Sequence, residues 1–236
     1  MLQRKISNSK RRGVMKHTKT LCAAAVTLLP LSHPALSQAT TAPHAAPKVH
    51  VYLVRGLMNV FSLGLDSIAS KLQARGIQAT VHNHLEWTAL ADAAIQACRS
   101  GHESGIILVG HSLGASAVVD MAQRLSQDGV QAGLVISLDP VTRLTAGGTV
   151  HRLVNYYISN GVGQPVDRGP SFRGSLQNVD LKNNPEGGHM FLTNSEHMQQ
   201  KVYDDALAGV AQPTPCRVGT AHAASGPTAT GRPPGT

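Results

Sequence analysis

A chain of 236 residues, 42% hydrophobic and 14% charged, is long enough and apolar enough for one domain with a real core. Its net charge of +8 does not mark a nucleic-acid binder, because residues 1–39 hold seven of the Lys and Arg and no acid. The remainder has fourteen basic against thirteen acidic residues, which leaves no electrostatic case for a polyanion partner.

Read in chain order, residues 1–39 are expected to be an export signal. Basic residues precede the apolar stretch Leu21–Leu36, and "ALSQA" offers small residues for cleavage after Ser37 or Ala39. Interrupted by Pro30 and Pro34, the stretch is too short for a stable membrane span. Met15 is an alternative start, since Lys16–Ala39 forms a complete signal alone; Arg11-Arg12 alternatively fits a twin-arginine export motif. "TTAPHAAP" (40–47) is a linker.

The folded body is expected over residues 48–211, where strand and helix patterns alternate. "VHVYLVRG" (49–56) is a strand, and "LDSIASKLQARG" (65–76) a helix stopped by glycine. "IQATVHNH" (77–84) is a strand, "EWTALADAAIQACRSG" (86–101) a helix, and "GIILVG" (105–110) a buried strand. A helix over 115–129 follows, then strands at 132–141, 149–159 and, more weakly, 175–181. A last helix over 193–210 has Thr193 or Asn194 as its cap. Such alternation implies parallel βαβ units in a three-layer α/β/α sandwich, with active residues at the carboxyl ends of the strands. "QPTPCRVGTAHAASGPTATGRPPGT" (212–236), rich in Pro, Gly and Thr, is expected to be disordered or loosely attached. Cys98 and Cys216 are the two cysteines left after the leader; without a distance between them, a disulfide and two free thiols both stay open.

One motif passes the positional test. Gly110-His111-Ser112-Leu113-Gly114 follows a strand and opens a helix, so Ser112 sits where a strained turn projects a side chain clear of the backbone. A serine nucleophile needs a base, and the base an orienting carboxylate. Asp139, at the end of "LVISLDP", is the expected acid, with Asp167 and Asp180 in reserve. His189, in the loop "NPEGGHMF" before the last helix, is the expected base. His151 lies within a strand pattern, His197 within a helix and His222 in the tail. The oxyanion donors are expected to be the amides of Leu113 and Leu57, with Met58 in reserve. His82 and His84 share one strand face and with His102 offer metal-ligand chemistry, but no clear third ligand is spaced for it; the expectation is no metal. Met58, Val60 and Phe61 suit either an acyl pocket or the core.

Strand–GHSLG–helix, then LDP, then GGH resembles the α/β-hydrolase superfamily, and within it the lipase- and thioesterase-like members, over about residues 48–211. The resemblance implies a serine hydrolase that cleaves a small-molecule or lipid-like ester or thioester through an acyl-enzyme, with no cofactor. An acyltransferase with the same triad, or a binding protein on a hydrolase scaffold, are the rival readings. The chain departs from the family in having Arg55-Gly56 where many lipases have His-Gly, and its body is short for the family, so the early antiparallel strands are expected to be missing. Residues 140–148 are too few for a helical lid, and 160–174 form a Gly/Pro-rich flap without an apolar face, so Ser112 is expected to face solvent.

Overall fold

The structure, a computed structural model, describes residues 48–57, 62–183 and 186–217. The expected leader and linker, and the last 19 residues, lie outside the described residues. Six parallel strands form one sheet in the order β2-β1-β3-β4-β6-β8. They are β1 (Val49–Arg55), β2 (Gln78–Asn83), β3 (Gly105–His111), β4 (Ala132–Leu138), β6 (Thr149–Tyr157) and β8 (Arg173–Asp180). Helices α1 (Gly64–Gln73), α2 (Trp87–Ser100), α3 (Leu113–Gln127) and α4 (Glu196–Ala211) cover the two faces.

The layering follows from strand alternation. Val51 and Leu53 of β1 point into a core with Leu65, Ile68 and Leu72 of α1 and Met198, Val202 and Ala206 of α4. Their neighbours Tyr52 and Val54 point the other way, into a second core with Ala91, Ala94 and Ile95 of α2 and Val118, Met121 and Leu125 of α3. The central strands β1 and β3 are apolar on both faces because both faces are covered. Gly76, Gly101 and Gly129 end the first three helices in left-handed conformations, as their positions in the sequence led one to expect.

Three expectations are corrected. The connections after β4 and β6 are not plain loops: β5 (Leu144–Ala146) and β7 (Val166–Arg168) pair in parallel as a second small sheet. Ala146, Val166 and Phe172 enter the same core as α2 and α3, so these two connections cover that face without a helix. The flap over 160–174 is thereby pinned. Asn178 of β8 exchanges hydrogen bonds of 2.9 Å with both backbone groups of Val166, and Arg143 grips Asp167 through two bonds of 2.6 and 2.9 Å.

The second correction concerns the tail. Residues 213–217 are held, not loose: Cys98 and Cys216 form a disulfide, the Cys216 amide donates to Ser104 O, and Val130 and Arg217 form a bridge. The described part of the body therefore includes residues 213–217. Thirdly, the cap of α4 is Ser195, whose hydroxyl accepts from the Met198 amide at 3.3 Å; Thr193 and Asn194 are taken up in a 3-10 turn, Leu192–Asn194.

The disulfide joins positions 118 residues apart. Closing a loop of that length restricts the unfolded chain by about 2–5 kcal/mol. Reduction, or Cys216→Ser, is expected to lower the thermal midpoint by roughly 5–15 °C. Calorimetry with and without reductant checks this, and an unchanged midpoint would show that the tail contributes nothing to the body.

Candidate active site

The site is built from the carboxyl ends of β1, β3, β4, β6 and β8. Strand β3 ends at His111 and α3 starts at Leu113, so one residue makes the whole turn. That residue is Ser112, at φ 59° and ψ −121°, a conformation L-residues rarely take. Its amide donates to Leu138 O at 2.9 Å, which fastens the turn to the end of β4.

Glycine is dictated around it by closeness. A Cβ on Gly110 would lie 2.1 Å from Gly114 O, and a Cβ on Gly114 would lie 2.1 Å from Val54 O. One on Gly56 would lie 2.8 Å from the Ser112 Cβ. Three backbones therefore meet at the turn: the end of β1, the end of β3 and the start of α3.

Asp139 follows β4 directly, at φ 51° and fully buried. Its Oδ1 accepts from the Ile158 amide at 2.7 Å, and its Oδ2 faces His189 Nδ1 at 2.7 Å. A Cβ on Gly163 would come within 1.7 Å of Oδ1, so only glycine lets the loop after β6 close over the carboxylate. His189 lies beyond β8, after three successive left-handed residues, Glu186, Gly187 and Gly188. Its Nε2 is 3.0 Å from Ser112 Oγ. The Glu186 carboxylate accepts from the Ser195 hydroxyl and lies 2.8 Å from His197 Nδ1, which ties this loop to the start of α4. Ser112, His189 and Asp139 thus form one hydrogen-bonded line.

The reserve residues are engaged elsewhere. Asp167 is on the surface with Arg143, whose guanidinium hydrogen bond holds its carboxyl below the ordinary carboxylate range. Asp180 accepts from the Ser159 hydroxyl at 2.6 Å, which likewise lowers it. His197 is exposed and faces Glu186; His151 is exposed on β6; His222 lies outside the described residues. His82 Nε2 is bonded to Thr80 and His102 Nδ1 to Ser100, and among the described residues no group of three or more His, Cys, Asp or Glu is arranged to hold a metal ion.

Of the two expected oxyanion donors, Leu113 is the first residue of α3, so its amide has no partner within the helix. Leu57 is next to Gly56, the residue in contact with Ser112. Met58, Val60 and Phe61 lie outside the described residues.

One residue of the motif was not read as functional from sequence. His111 is buried, with Nδ1 2.9 Å from Ser62 Oγ and Nε2 3.0 Å from the His189 backbone oxygen. The signal for it is its place at the end of a strand buried along its whole length, where a polar ring must find partners. Burial first, and then the neighbouring His189, push its pKa down to about 4.

No family model matches the chain, and no curated protein matches it. Solved structures do. One is a protein assigned to the hydrolases of the alpha/beta superfamily from Xanthomonas campestris pv. campestris, at 12% identity and TM-score 0.41, over 67% of this chain and 98% of that one. Est1E from Butyrivibrio proteoclasticus matches at 11% identity and TM-score 0.41, over 70% and 89% of the two chains. A type II thioesterase from the yersiniabactin NRPS/PKS biosynthetic pathway matches at 11% identity and TM-score 0.37, over 70% and 93%.

A histidine held neutral in the fold, but free to ionise when unfolded, favours the fold at pH values above its unfolded value near 6.5. That contribution fades as pH falls from about 6.5 to about 4 and is gone below. It amounts to about 3 kcal/mol at most. Denaturant midpoints of wild type and His111→Asn across this range are expected to diverge at neutral pH and converge at pH 4. Parallel curves would refute a neutral buried His111.

Proposed function

We propose that this chain is an exported serine hydrolase that cleaves carboxylic esters or thioesters. The observation that carries the reading is the line from Ser112 Oγ to His189 Nε2 at 3.0 Å and from His189 Nδ1 to Asp139 Oδ2 at 2.7 Å. In this mechanism Ser112 Oγ attacks the substrate carbonyl as its proton passes to His189 Nε2. His189 Nδ1–H donates to Asp139, whose buried charge stabilises the imidazolium and keeps Nε2 free to accept. The negative charge on the carbonyl oxygen is met by the amides of Leu113 and Leu57. His189 then gives its proton to the departing alkoxide or thiolate, leaving an acyl-Ser112. Water attacks that ester with His189 again as base, and the acid and free Ser112 are released.

The surroundings suit an uncharged, partly apolar substrate. Among the described residues, all the large exposed hydrophobics sit on segments beyond the strands' carboxyl ends: Leu57 and Leu63 after β1, Leu85 after β2, Val162 after β6, Met190 and Phe191 after β8. A groove of about 210 Å³ runs along α3 from Leu113 past Ser116 and Ala117 to Asp120, with His84, Leu85 and Trp87 as its opposite wall. Export is supported by the leader pattern and by the Cys98–Cys216 disulfide, which belongs in an oxidising compartment.

On p-nitrophenyl esters of graded chain length, Ser112→Ala is expected to reduce kcat by about a million-fold and to abolish labelling by a fluorophosphonate probe. Asp139→Asn is expected to lower kcat about 10⁴-fold with little change in KM. If Ser112→Ala keeps its rate, the reading is wrong; if Asp139→Asn keeps it while Asp167→Asn does not, the acid is misassigned.

The two connections best placed to form a lid are pinned by the β5–β7 pair. The rate is therefore expected to rise smoothly with the concentration of a short-chain ester, with no jump where the ester forms droplets. A sharp rise at that limit would mean that residues 160–174 open as a lid.

A further inference from the structure

His111 lies beside Ser112, yet the mechanism above gives it no proton to move. Its hydrogen bonds have a fixed direction. The His189 backbone carbonyl can only accept, so His111 Nε2, 3.0 Å away, carries the ring proton. In the neutral ring Nδ1 is then an acceptor, and its partner at 2.9 Å, the Ser62 hydroxyl, must donate. The Ser62 oxygen in turn accepts from the Gly56 amide at 3.2 Å. The result is a one-way chain from Gly56 N–H through Ser62 and His111 to the carbonyl of His189.

The ends of that chain are functional places under the proposed mechanism. Gly56 packs on the Ser112 Cβ and precedes Leu57, the second oxyanion donor. The other end is the backbone of the base itself, whose ring centroid is 5.1 Å from that of His111. We infer that His111 is a positioning residue that ties the oxyanion loop after β1 to the loop carrying His189, across the nucleophile turn. It touches neither substrate nor reacting atoms. Its effect is to keep the Leu57 amide and His189 Nε2 in register with Ser112 Oγ, a second tie beside the close packing of Gly64 on the Thr193 backbone. Such a link matters to rate, because a displacement of about 1 Å in a reacting group lowers turnover on the order of 100-fold.

The inference rests on the hydrolase reading, and Ser112→Ala tests that reading separately. The test of His111 uses four variants of the full chain, with kcat, KM and thermal midpoint read for each. His111→Phe removes both bonds and is expected to lower kcat about 100-fold with KM within about threefold. His111→Gln, whose side-chain amide can donate to the His189 carbonyl, is expected to recover about tenfold of that loss. Ser62→Ala removes only the link to the oxyanion loop and is expected to lower kcat about tenfold. Combined with His111→Phe, it should add nothing, since both cut the same chain.

A purely structural histidine would lower the midpoint and leave kcat of the folded fraction unchanged. If Ser62→Ala and His111→Gln both keep wild-type kcat while Ser112→Ala is inactive, the positioning role is overturned and the hydrolase reading stands. If the two losses multiply in the double variant, the chain is not one unit and the inference also fails. Should His111→Phe not fold, Ser62→Ala and His111→Gln decide the matter alone. Activity surviving in Ser112→Ala would remove the hydrolase reading and this inference with it.

Discussion

The structure depends on one close approach: the end of β1, the end of β3 and the first turn of α3 meet with backbone on backbone. The parallel register that pairs Val54 with Gly110 sets the level of this meeting. Any Cβ on Gly110 or Gly114 would drive the strands and helix apart, since there is no flexible side chain to yield, only carbonyl groups. What the approach achieves is to hold Ser112 in a conformation costing on the order of 1–3 kcal/mol. The cost is borne because the turn is held from three sides, by the sheet, by α3 and by the Ser112 amide bond to Leu138.

A fully buried carboxylate is the second demand, and it is met locally. An ionised group in such a place needs both a counter-charge or donor and saturated lone pairs. Asp139 has a backbone amide on one oxygen and the His189 ring on the other. The loop that shields it approaches only because residue 163 is glycine. The other buried acids are served differently. Asp205 accepts from the Tyr156 hydroxyl at 2.7 Å and Lys201 at 2.9 Å. Glu103 holds Tyr52 and His50 on one oxygen, at the amino end of the sheet beside the disulfide. Burial, together with that carboxylate, pushes the Tyr52 phenol upward. These groups fasten elements together, whereas Asp139 alone among them leads on to a serine.

Much of this was legible in the sequence because it is written in local periodicity. Alternating and continuous apolar runs mark the six main strands; helical spacing with terminal glycines marks the first three helices, and a capping pattern the fourth. The order of Ser112, Asp139 and His189 could be inferred because each must follow a strand, and strand ends were visible at Gly110, at Pro140 and before the glycines at 187 and 188. Strands β5 and β7 were not legible: three residues are too few to show a period, and their burial depends on a core formed by distant segments. The docking of Cys216 was hidden by the composition around it, which is that of a loose tail. Ser62 and His111 were missed for a related reason. Their hydrogen bond spans 49 residues, and nothing local to either position announces the other.

The two ends of the sheet are treated in opposite ways, and this follows from how the chain spends its connections. At the amino end, the segment 213–217 crosses Ser104 and Gln131 and is bolted to α2, which closes the cores over His50, Tyr52 and Glu103. At the carboxyl end, the connections after β4 and β6 are drawn down against α3 as β5 and β7, so these residues cover a sheet face instead of rising over Ser112. Ser112 stays partly exposed, and the apolar side chains that remain at this end have no core to enter. A closed, cross-linked base gives the rigidity that a strained turn needs, and at the other end, among the described residues, the Ser112 hydroxyl stays reachable. The same economy of chain produces both.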